Sequence, residues 1–122
     1  MAHYVTTLLF IITVLFHGAV VADADGPDYW QVHSVAANDT LSLRQKTDWR
    51  SKLVLKIPHN GKCLRNIECK GGLTLQEFTD LPESEKRRIR KQRPRWCLIV
   101  YKKIQGWVRA KYLREYEEVC SK

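Results

Sequence analysis

Apolar residues fall into two regimes along this chain. The first is a single apolar run, Leu8 to Phe16, interrupted only by Thr13. The second begins at Tyr29 and consists of short apolar segments broken by turns. Tyr29 to Val35 alternates imperfectly but is rich in β-forming residues, Asn38-Asp39 marks a turn, and Leu41 and Leu43 alternate around Ser42. Gln45 to Lys52 is polar around one aromatic, Trp49, and reads as a long loop leading into the strand Leu53 to Ile57. Pro58-His59-Asn60-Gly61 stops that strand, because proline fixes φ and Asn-Gly tolerates positive φ. Lys62 to Cys69 makes the next strand, Gly71-Gly72 ends it, and Trp96 to Tyr101 and Gly106 to Val108 supply the last β-segments. Five or six short strands at this spacing predict a mainly β domain closed into a small barrel.

The stretch 73–95 differs in kind. Thr74 followed by Glu77 has the form of a capping box, and Glu83 and Glu85 precede Lys86-Arg87-Arg88, the charge order that suits a helix dipole. One or two short helices are predicted, ended by Pro94. Leu75, Phe78, Leu81 and Ile89 are the residues expected to pack on the barrel.

Residues 1–22 contain no Asp, Glu, Lys or Arg, so the first apolar run reads as the h-region of a signal peptide, with cleavage after Ala22 or Ala24. The run is too short to span a bilayer. Residues 23–28 read as a flexible lead-in, 29–116 as the domain with its helical insertion, and 117–122 as a C-terminal tail. About a hundred residues make one domain, whose thin core benefits from cross-links. All 21 Lys and Arg and all 13 Asp and Glu lie beyond residue 22, so the mature chain keeps a formal charge of +8 and is attracted to anionic surfaces. An exported protein, periplasmic or secreted, meets such surfaces as polymers, lipid headgroups or acidic proteins. Nucleic acid is not an expected partner there.

The order Leu41-Ser42-Leu43-Arg44, Ser51 to Ile57, Gly61, Gly106-Trp107-Val108 and Tyr112-Leu113 is similar to that of bacterial SH3-like domains. The resemblance spans Val35 to Leu113, and the insertion between Cys69 and Cys97 departs from the family's short loop. It implies a small SH3-like β-barrel that binds cell-wall peptide or another surface ligand, and it implies no catalysis. The eukaryotic proline-rich ligand does not follow from a shared barrel.

Cys63, Cys69, Cys97 and Cys120 after an export signal predict two disulfides. In one extended strand Cys63 and Cys69 would stand roughly 20 Å apart at about 3.3 Å per residue, too far to bond. Of the two remaining pairings Cys69 with Cys97 is preferred, because they flank the insertion at the base of a hairpin, and Cys63 with Cys120 follows. Zinc is disfavoured, since the four lack paired Cys-x-x-Cys spacing, and no other metal or cofactor is called for.

Trp107 is expected in the core and Trp96 beside the disulfide. Trp49, alone among polar neighbours, is the leading candidate to stack on a ligand. Arg44 would supply charge beside it, and Tyr101 and Tyr112 apolar contact at strand ends. The basic cluster Lys86, Arg87, Arg88, Arg90 and Lys91 spreads around a helix and offers a peripheral contact with an anionic polymer or membrane. His33 and His59 have no Cys, Ser or carboxylate partner at informative spacing, and Glu83 and Glu85 are explained by a helix start, so no enzyme is predicted. The resulting expectation is a monomeric, non-catalytic binding or accessory module of the bacterial envelope that recognises cell-wall peptide, peptidoglycan or another surface ligand. The alternative is a regulator or assembly factor that binds an envelope protein through the inserted helices.

Overall fold

The computed structural model describes residues 26–121, and the signal-peptide and cleavage-site assignments lie outside the described residues. Seven strands form one antiparallel sheet, curled into a half-barrel. They are β1 (Tyr29–Val32), β2 (Thr40–Arg44), β3 (Leu53–Pro58), β4 (Leu64–Lys70), β5 (Trp96–Tyr101), β6 (Ile104–Arg109) and β7 (Leu113–Glu115). Their order across the sheet is β3-β2-β6-β5-β4-β1-β7. Helices α1 (Leu75–Asp80) and α2 (Glu83–Gln92) fill the insertion between β4 and β5, and a 3-10 turn, Ala110–Tyr112, precedes β7.

Two-residue periodicity selects the core. Leu41 and Leu43 of β2, Ile57 of β3, Leu64 of β4, Cys97, Ile99 and Tyr101 of β5, and Val108 of β6 are buried on the concave face with Val32 and Leu113. The same alternation corrects the expected place of Trp107. Gly106 and Val108 point inward, so Trp107 between them lies half-buried on the outer face, under the Lys70 ammonium 4.5 Å from its ring centre. Tyr101 moves the other way: only 8% exposed, it belongs to the core and is unavailable as a ligand contact.

The disulfides join Cys69 to Cys97 and Cys63 to Cys120, the pairs preferred from spacing. Cys69 and Cys97 face each other in the β4–β5 register, so their bond closes the base of the insertion. Cys63 lies just before β4 with φ 60°, rather than inside the strand as expected. Its partner Cys120 ties the segment after β7 to that point.

The capping box forms: Glu77 N–H donates to Thr74 Oγ1 at 3.1 Å, and Thr74 N–H donates to Glu77 Oε1 at 3.0 Å. Arg93 ties α1 to the end of α2, donating to Glu77 Oε1 and, at 3.0 Å, to the Gly72 carbonyl. The expected apolar seam is only half realised. Ile89 is buried and Leu81 partly so, but Leu75 is 82% and Phe78 57% exposed. A six-residue helix has one narrow face, and α1, fixed by bonds to Thr74 and Arg93, buries none of its residues.

Candidate functional site

β2 ends at Arg44, where a bulge between Leu43 and Arg44 shifts the pairing with β3 and releases the chain into the 45–52 loop. Polar contacts within the loop give it a fixed form. Asp48 accepts from the Arg50 N–H at 2.8 Å through its side chain and from the Ser51 hydroxyl at 2.7 Å through its carbonyl. Gln45 N–H donates to the Lys52 carbonyl at 3.0 Å across the base. Trp49 is thereby held at the tip, 64% exposed, with the Arg50 guanidinium 5.0 Å from its ring centre.

Trp49 forms one wall of a cleft of about 530 Å³. Ser34, Val35 and Ala36 line it from the β1–β2 connection, and Thr40 to Ser42 and Arg44 from β2. Trp96, Arg109 and Tyr112 complete it. Arg44 keeps one guanidinium nitrogen on the Ser51 carbonyl at 2.9 Å, so it both braces the loop and faces the cleft. Arg109 lies opposite Trp96 in the β5–β6 register and stacks over its indole at 5.5 Å. Tyr112 comes from the 3-10 turn, with the Lys111 ammonium 4.9 Å over its ring. Two guanidinium groups and the rings of Trp49 and Tyr112 therefore meet at one surface, with Trp96, only 5% exposed, as its buried floor beneath Arg109 and Asp39 as the acidic residue of the wall. Such a surface suits a ligand with a carboxylate and a flat or aliphatic body, because arginine pairs with the first and rings cover the second.

Three of the four ligand residues chosen from sequence, Arg44, Trp49 and Tyr112, come together here; Tyr101 does not. Trp96 and Arg109 were missed as site residues. Their pairing follows from the β5–β6 register once a two-residue turn is placed at Lys102-Lys103, which carry φ of 47° and 69°. A lysine pair gives no turn signal, since positive φ at both positions favours Asn-Gly.

The basic cluster on α2 is largely committed to local ion pairs. Lys86 bonds Glu83 at 3.1 Å, Arg88 bonds Glu85 at 2.8 Å, and Arg90 lies 3.9 Å from Glu83. Arg87 and Lys91 make no ion pair among the described residues. Among those residues no group of three or more His, Cys, Asp or Glu is placed to hold a metal, and no helix is long and apolar enough to cross a membrane. No protein family, curated protein or solved structure matches the chain.

Proposed function

We propose that this is an SH3-like binding module of the bacterial envelope, periplasmic or secreted, that recognises cell-wall peptide in the cleft between the 45–52 loop and the 3-10 turn. The observation that carries the reading is the convergence of Trp49, Arg44 and Tyr112, distant in sequence, with Trp96 and Arg109 around one cleft. Wall peptides present free carboxylates and short aliphatic side chains, which match the arginines and the rings in turn. Three of the segments that carry the resemblance to SH3-like domains lie in or beside strands. Leu41 to Arg44 form most of β2, Gly106-Trp107-Val108 lie within β6, and Tyr112-Leu113 mark the entry to β7. The two disulfides suit a protein that folds outside the reducing cytoplasm.

Co-sedimentation of the mature protein with purified peptidoglycan across a salt series tests this. Binding that persists at moderate salt and falls with Trp49→Ala is expected. Because Trp49 is mostly exposed, the variant should keep its stability within about 0.5 kcal/mol, so lost binding would report lost contact. Binding abolished by salt alone, or unchanged in the variant, would refute recognition in the cleft.

A further inference from the structure

Helix α1 buries none of its six residues against the rest of the described structure, yet it is firmly held. Its capping box and the bonds from Arg93 to Glu77 and Gly72 fix it by polar contacts at its ends. Leu75 and Phe78, one helical turn apart, are thus displayed on one face, 82% and 57% exposed. Large apolar side chains held in water on a rigid element mark a surface that some partner covers.

The surrounding charge says which kind. The Lys86 ammonium lies 4.8 Å over the Phe78 ring. Phe78 also borders a cleft of about 460 Å³ whose rim carries Arg90, Arg95, Arg109 and Lys111, with no carboxylate in its lining. The insertion 73–95 holds seven basic and four acidic residues. Three of those acids are paired: Glu77 with Arg93, Glu83 with Lys86, and Glu85 with Arg88. Asp80 makes no ion pair among the described residues. An apolar tip ringed by cations matches a bilayer interface, where anionic headgroups lie just above an apolar layer. Leu75 lies outside that cleft and is 82% exposed, so the apolar tip as a whole suits a deformable surface better than a protein partner, which would need a matching acidic-rimmed pocket.

We infer that α1 and the adjoining basic cleft form a docking surface for membranes rich in anionic lipid, with Leu75 and Phe78 entering the interface and Arg90, Arg95 and Lys111 contacting headgroups. This surface shares only Arg109 with the lining of the Trp49 cleft and does not rest on the wall-peptide reading.

The test is sedimentation of the mature, oxidised protein with vesicles of phosphatidylcholine alone or mixed with phosphatidylglycerol. Binding is expected to the mixed vesicles only. Leu75→Ser with Phe78→Ser should weaken it about tenfold, as expected for losing two partly inserted apolar side chains. Replacing Arg90, Arg95 and Lys111 by Gln should reduce it to the level of phosphatidylcholine, while Trp49→Ala should leave it intact. Unaltered melting temperatures would show that the variants remain folded, and a Leu75→Ser single variant, at the more exposed of the two positions, should weaken binding on its own. Equal binding to both vesicles, binding insensitive to the Leu75 and Phe78 changes, or no binding at all would overturn the inference. Capture of an envelope protein through these residues without vesicle binding would overturn it in favour of a protein partner.

Discussion

Gly106→Ala tests how β6 packs against β2, the contact that seats Arg44. A Cβ built on Gly106 would lie 2.7 Å from Leu43 Cγ, 2.9 Å from Leu43 Cδ1 and 2.9 Å from the Arg44 carbonyl oxygen. The carbonyl belongs to the backbone and cannot rotate away, and Leu43 is fully buried with no space to yield into. β2 and β6 must therefore separate locally or shift in register. Adding one methyl group to a packed core of this kind costs about 1–3 kcal/mol. In a domain of this size that corresponds to a fall in melting temperature of roughly 4–20 °C. The assay is thermal unfolding by near-ultraviolet circular dichroism under oxidising conditions, with two-dimensional NMR to locate the disturbance. Shifts should concentrate at Leu43, Arg44 and Trp107, the last paired with Arg44 across the β2–β6 register. Peptidoglycan binding should weaken as well, because Arg44 moves with its carbonyl. A melting temperature within about 2 °C of the unaltered protein would refute the close approach of the two strands, since even the low end of the expected cost exceeds it.

Removing the Cys69–Cys97 bond as a double alanine variant opens a loop with a sequence separation of 28, and chain entropy puts the loss at about 3.5 kcal/mol. Chemical denaturation should detect it, and a loss below about 1 kcal/mol would contradict the entropic account. Lys102→Asn with Lys103→Gly should stabilise the β5–β6 hairpin by about 1 kcal/mol, because both positions hold positive φ that lysine adopts at a cost. A lower melting temperature would count against that turn geometry. Glu77 is held below the ordinary carboxylate value, most of all by the Thr74 backbone N–H; burial opposes this next most strongly, and the Thr74 hydroxyl and Arg93 reinforce it. A depressed folded-state pKa gives stability that is complete above the unfolded value and lost as pH falls through the folded one. The ends of α1 should therefore loosen below about pH 4. Amide exchange at Glu77 and Phe78 should accelerate there, and Glu77→Gln should abolish that pH dependence.

What was legible in the sequence was whatever alternation and turn chemistry write locally. Leu41-Ser42-Leu43 set the inward face of β2, Pro58-His59-Asn60-Gly61 set the end of β3, and Thr74 with Glu77 set the start of α1. Trp107 lies on the outer face despite its hydrophobicity because Gly106 and Val108 take the inward parity of β6. Tyr101 followed the same rule in reverse, sharing parity with Cys97 and Ile99. β1 stops at Val32, short of the expected Val35, because Ser34 takes φ 57°, which no composition rule for β-rich segments anticipates. The half of the site built by Trp96 and Arg109 depends on a register set by Lys102-Lys103, and the exposure of Leu75 and Phe78 depends on contacts from Arg93. Both are long-range consequences of local geometry that residue types alone do not encode.

The bond between Cys69 and Cys97 joins two residues already opposite each other in a ladder, so the hairpin's geometry does not depend on what hangs between them. The segment between β4 and β5, residues 71–95, is therefore a removable pendant on a closed clasp. A loop of different length, or a foreign helical pair, could be grafted there while the sheet kept its shape, and Arg109, which lines both the Trp49 cleft and the basic one, would remain the point where the two surfaces meet.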